Sequence, residues 1–156
     1  MQDTELMLHT LLELGESMLA DGAEVRRVEQ TLTRMGKAYG AVRMDVFVIT
    51  SSIVLTMCFA DETAVTQTRR IEKSTVTDFG KLEAINAISR SYCEKPSPVQ
   101  ELADRLAGLR AETASLEAER ETILRTTQQI HELFEEMAGD RKARLDQIAQ
   151  AETGTQ

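Results

Sequence analysis

From Leu102 onward an apolar residue recurs at every seventh position: Leu102, Leu109, Leu116, Ile123, Ile130 and Met137. A heptad kept over that length restricts this part of the chain to a long helix with one continuous stripe, as in a coiled coil or helical hairpin. The other seam position reads Leu106, Thr113, Arg120, Thr127, Phe134 and Arg141, and its polar half argues against a tightly packed seam. A solvated helix with one stripe, folded back on a neighbouring domain, is the alternative. The start is marked by Lys95-Pro96-Ser97-Pro98, with Ser97 as N-cap, Pro98 as first helical residue and Gln100 as reciprocal partner. Gly139-Asp140 is a candidate break, and 151–156 should fray. Twelve acidic and seven basic residues follow Pro96, so five of the chain's eight net negative charges lie in this last third.

The residues before Pro96 carry other periods. Leu8, Leu11, Leu12, Met18 and Leu19 share one face of a helix over about 4–21, with Gly15 in the stripe, where a close approach of another element is expected. Asp21-Gly22 stops it. Val25, Val28, Leu32, Met35 and Tyr39 form a second helical stripe ending before Gly40, which makes a hairpin with the first. Val42, Met44, Val46 and Val48 then alternate as a strand does. Ile53 to Phe59 is apolar on both faces and suits a central strand, and Thr63 to Ile71 is a more polar edge strand beyond an Asp61-Glu62 turn. Short links between three strands imply an antiparallel meander. Asp78 to Tyr92 is helical again through Phe79, Leu82, Ile85 and Ile88. The expected class is α+β: a helical hairpin, a three-stranded antiparallel meander, a helix, then a long coiled-coil-like tail, with helices on one face of the sheet.

Composition removes several functions. The 156-residue chain is acidic, with 26 Asp and Glu against 18 Lys and Arg, and has 4% aromatics and no Trp. Phosphate neutralisation and base stacking both lack their residues, so no nucleic-acid partner is expected. Cys58 and Cys93 stand far apart, and His9 and His131 lie in different helical segments, so no metal or other cofactor is expected. Gly36-Lys37 is not a phosphate loop, because Thr31 occupies the position of its first glycine. Thr50-Ser51-Ser52 offers hydroxyls but no paired base, and reads as a strand kink whose hydroxyls bond nearby backbone. No catalytic residue is assigned and no enzyme is expected. The longest apolar stretch, 46–60, is broken by Thr50, Ser51, Ser52 and Thr56, and the acidic N-terminus lacks a signal-peptide start, so a soluble cytoplasmic chain is expected.

One polar group remains. In Gly22-Ala23-Glu24-Val25-Arg26-Arg27-Val28-Glu29, Glu24, Arg27 and Glu29 crowd a helix start, where the dipole favours Glu24 and an i, i+3 pair joins it to Arg27. The cluster is either a surface ion-pair network or a site for a small polar ligand, with Arg suited to carboxylates through its forked donors. Arg69, Arg70 and Asn86 join it only if the fold brings them there. A partly buried Arg27 fixing Glu24 and Glu29 is the expected arrangement. Its replacement by Gln would then cost roughly 3 kcal/mol, with little or no ligand effect.

These residues also resemble a family. Gly22-Ala23-Glu24-Val25-x-Arg27-Val28-Glu29 is followed by Val46-Phe47-Val48, Ser52-Ile53-Val54-x-Thr56, Thr68-Arg69-Arg70 and Lys81-Leu82-x-x-Ile85-Asn86-x-Ile88-Ser89-Arg90. The succession is similar to the N-terminal soluble domain of the threonine/serine exporter-like family of membrane proteins, over about 6–109. That resemblance implies a cytoplasmic domain attached to a transmembrane bundle exporting small amino acids or dicarboxylates. The family's soluble part has also been described as hydrolase-like. Two departures stand out. Members show a Thr-Pro-Thr-Ser run where this chain reads Ile49-Thr50-Ser51-Ser52, and they continue into transmembrane helices where this one continues into charged heptads.

The expected organisation is an exporter-like α+β domain over 1–95, a boundary helix start over 96–110 and a charged heptad tail over 111–156. The expected function is a regulatory or assembly part of a membrane exporter, held at the inner face of the plasma membrane by a transmembrane partner. The tail would serve as the joint, and would also make a homo-oligomer, most simply a dimer. The alternatives are a small-ligand-binding domain and a weak hydrolase.

Overall fold

The computed structural model describes residues 2–71 and 77–153. Its elements, in order, are α1 (Gln2–Ala20), α2 (Val25–Tyr39), β1 (Arg43–Ile49), β2 (Ser52–Cys58), β3 (Ala64–Arg70), α3 (Phe79–Glu94) and α4 (Val99–Thr153). The fold is α+β, as the periodicities predict. It divides into two compact units, Met1–Glu112 and Thr113–Gln156, with α4 contributing to both.

In the first unit α1 and α2 form the hairpin. Gly22 adopts φ +89° at its turn and Gly40 φ +123° at the end of α2, conformations in which a Cβ would be strained. The sheet has order β1-β2-β3, antiparallel throughout, with Val46 opposite Leu55 and Leu55 opposite Gln67. Met44 and Val48 of β1 and Ile53, Leu55 and Met57 of β2 point to one face and are buried there beneath α1 and α2. The opposite face carries Phe47 and Ile49, 61% and 43% exposed, so the helices do cover a single face. α3 packs on α1 and α2 and adds Leu82, Ile85 and Tyr92 to the same core, which the first turns of α4 complete with Val99, Leu102 and Leu106. Asp78 caps α3, its carboxylate accepting from the Lys81 N–H at 3.0 Å.

Gly15 behaves as its place in the stripe predicts. A Cβ there would stand 2.8 Å from Ile53 Cδ1 and 3.0 Å from Leu32 Cδ1, so bare backbone lets α1 approach β2 and α2 together. The Thr50-Ser51 pair is the β1–β2 turn, and the Ser52 hydroxyl donates to the Arg69 carbonyl at 3.2 Å.

Three local expectations are corrected. The Pro98 carbonyl, not the Ser97 side chain, opens α4 by accepting from the N–H groups of Glu101 and Leu102. The Ser97 hydroxyl is buried and has no hydrogen-bond partner among the described residues, and Gln100 turns forward to Asp104 at 2.9 Å. The helix also runs unbroken through Gly139-Asp140, because the good helix formers on either side outweigh the roughly 1 kcal/mol a glycine costs. It continues through 151–153, where fraying was expected; 154–156 lie outside the described residues.

In the second unit every described side chain from 114 to 151 is exposed, including the apolar stripe. Leu116, Ile123, Ile130, Phe134 and Met137 lie between 48% and 66% open. Among the described residues no helix is long and apolar enough to cross a membrane.

Candidate functional site

Helix α2 lies against β1, an edge strand of the sheet. Gly36 is the point of closest approach, since a Cβ there would overlap the Sδ and Cε atoms of Met44. Toward the start of the helix the two elements bound an open groove of about 760 Å³. Its walls are Glu24, Arg26, Arg27, Glu29, Gln30, Thr31, Thr33 and Arg34 on the helix side and Met44 and Val46 on the strand side.

Each wall residue has a local cause. Glu24 is the N-cap residue, with extended backbone (φ −65°, ψ 141°), and its side chain makes no capping bond. Glu29 reaches the sheet, its Oε1 accepting from the Val48 N–H at 3.2 Å. Because the Val48 amide is turned away from β2, the alternation of an antiparallel ladder puts the main-chain groups of Met44 and Val46 on the same free edge. Thr33 returns its hydroxyl to the Glu29 carbonyl at 2.7 Å, leaving the carboxylate its role at the strand. Arg26, Arg27 and Arg34 are exposed, and among the described residues none of them is in an ion pair. Three guanidinium forks that, among the described residues, hold no carboxylate line a groove with two glutamates, and such an arrangement can take up a small anion bearing one or more carboxylates.

The structure therefore brings Glu24, Arg27 and Glu29 to one groove and leaves Arg69 and Asn86 out of it. Arg27 is exposed rather than partly buried, because α2 turns its buried stripe of Val28, Leu32 and Met35 the other way. Among the described residues it holds no carboxylate, so the partly buried arrangement that fixes Glu24 and Glu29 is not the one found. Arg69 is directed to α1. Its Nε lies 2.7 Å from Glu16 Oε2, and a terminal nitrogen lies 3.9 Å from Glu13 Oε1. Arg110, near the start of α4, donates to the same Glu13 oxygen at 2.8 Å, and His9 Nε2 lies 3.5 Å from it. Asn86 is buried on α3, where its carbonyl accepts from the Ser89 hydroxyl at 2.9 Å.

Sequence reasoning missed the cluster of Glu13, Glu16, Arg69 and Arg110. Glu13 and Glu16 share a face of α1, but nothing in the spacing announces partners on β3 and α4. It also missed Asp21, 3% exposed at the end of α1, with Lys81 Nζ of α3 at 3.7 Å. Arg26 and Arg34 belong to the groove as well, and their i, i+8 spacing on α2 was the available signal. Burial pushes the Tyr92 hydroxyl above its ordinary pKa, and it pushes the Cys93 thiol up with partial opposition from Arg34. Among the described residues no group of three or more His, Cys, Asp or Glu side chains is placed to hold a metal ion.

The model of the ThrE family, "Putative threonine/serine exporter", matches residues 9–119 of the chain. That span takes in all the strands, α2, α3 and the groove. No curated protein and no solved structure matches the chain.

Proposed function

The chain belongs to the threonine/serine exporter family, and from that premise we propose that it acts as a soluble cytoplasmic part of an exporter of small amino acids or dicarboxylates. Its role in this reading is regulation or assembly, at the inner face of the plasma membrane. It has no catalytic step of its own, and a transmembrane partner provides the path. The family match over the α+β unit is the observation that carries the proposal. It is supported by the lack, among the described residues, of any helix long and apolar enough to cross a membrane. The test is efflux. Cells loaded with labelled threonine, serine or succinate should export at least one of them more slowly without this chain and recover when it is restored. Unchanged efflux of all three rejects the proposal.

A second reading is favoured by the three arginines of the α2–β1 groove, none of which is in an ion pair among the described residues. There the unit senses a small carboxylate, with Arg27 as the central fork and Arg26 and Arg34 beside it. Saturating threonine, serine or succinate should raise the melting temperature. At about 100 times the dissociation constant the gain corresponds to about 2.7 kcal/mol. Arg27→Gln should abolish the gain while leaving the unliganded protein as stable as before. No thermal shift with any of the three removes this reading and leaves the first standing.

A further inference from the structure

We infer that the second unit pairs antiparallel with the same helix of a second copy of this chain. The need for a partner comes from the apolar surface. Nine large apolar side chains between Leu116 and Ile148 are 48% to 66% exposed on a single helix. At roughly 100 Å² each they present on the order of 900 Å² per copy, close to the ~800 Å² that each side of a stable interface buries. In the first unit the same heptad stripe is covered, with Leu102 and Leu106 fully buried in the core. From Leu116 onward the described side chains of the stripe are exposed.

The identity and direction of the partner follow from charge. Between 113 and 136 the helix carries Glu117, Glu119, Glu121, Glu132, Glu135 and Glu136 against Arg120 and Arg125. Between 137 and 151 it carries Arg141, Lys142 and Arg144 against Asp140 and Asp146. One helix is thus acidic first and basic at its far end, and only an antiparallel pair brings Arg141, Lys142 and Arg144 of one copy to the start of the acidic stretch of the other. A parallel, in-register pair would set Arg120 against the partner's Arg120 and Arg141 against the partner's Arg141 at seam positions. The antiparallel register that sets Ile123 against the partner's Phe134 removes both clashes. Arg120 then lies level with the partner's Met137 and beside the partner's Glu136. Arg141 lies level with the partner's Leu116 and beside the partner's Glu117. Each arginine can lay its stem on an apolar side chain and its head on a carboxylate.

The test uses the full chain, with Cys58 and Cys93 replaced by Ser for the cross-linking arm. Sedimentation of the unmodified protein at micromolar concentration should give twice the mass of one chain. The double variant Ile123→Glu/Ile130→Glu should halve that mass while the first unit still melts cooperatively. Under mild oxidation Arg120→Cys alone should form no covalent dimer, because in this register the two thiols stand 17 residues apart along the axis, about 25 Å. Adding Met137→Cys to it should give a covalent dimer. A monomeric mass, a mass unaffected by the two glutamates, or ready cross-linking of Arg120→Cys alone each overturns the proposal.

Discussion

Two glycines set the distances between elements of the first unit. At Gly15 and Gly36 the missing Cβ is the reason α1 can lie on β2 and α2 on β1. Gly36→Ala would drive a methyl into Met44, which is 9% exposed and has little room to move, so it should destabilise the protein by about 1–3 kcal/mol in urea unfolding. Arg27 is the opposite case. It is exposed and, among the described residues, in no ion pair, so its replacement by Gln should change stability by no more than about 0.5 kcal/mol, and a larger loss would show a buried partner. Tyr92 and Cys93 give the protein an alkaline limit. Unfolded, their side chains ionise near the ordinary values of 10.0 and 9.0; folded, burial keeps both protonated to higher pH. The unfolded chain therefore sheds protons first, and stability that is complete below about pH 9 declines as pH rises through the window between unfolded and folded values. Tyr92→Phe should make the fall in melting temperature above about pH 10 shallower. An identical slope in both proteins would show that the hydroxyl does not contribute.

Among the elements, β3 and the start of α4 are tied to α1 by charge as well as by packing. Arg69 and Arg110 converge on Glu13, and Arg69 also holds Glu16, with all four side chains between 19% and 37% exposed. Arg69→Ala leaves Glu16, the more buried of the two carboxylates, without its closest cation, so a loss of about 1–3 kcal/mol is expected by thermal melting. Restoring part of it with Arg69→Lys would separate charge from the geometry of the guanidinium. The strand edges differ in the same way. The outer amides of β1 are partly occupied by Glu29, which blunts the edge at Val48 and leaves Met44 and Val46 to the groove. Glu29→Gln should therefore perturb groove binding more than it perturbs the fold, as measured by ligand-induced thermal shift against the unliganded melting temperature.

For the whole molecule, the two units differ in what stabilises them. The first has a continuous core running from Met7 to Leu106, whereas the second is one helix with its apolar stripe exposed. Ending the chain after Glu112 should leave a cooperative unfolding transition within a few degrees of the full-length one, checked by calorimetry. Loss of that transition would mean that the first unit depends on the second. Sequence alone determined the elements and the sheet order. Period 2 against period 3.6, the Gly22 and Gly40 stops and the short links are local properties, and local properties survive any tertiary arrangement. It also determined the long helix, because a heptad needs no partner to be recognised. Tertiary structure decided which charges meet. Arg27 and Arg69 are the same residue type in equally polar surroundings, yet one ends in an open groove and the other on Glu16. That choice depends on the rotation of α2 about its buried stripe and on the strand register that sets Arg69 opposite Ile53, facing α1. Neither rotation nor register is encoded within reach of the side chain concerned; both are set by packing between distant parts of the chain.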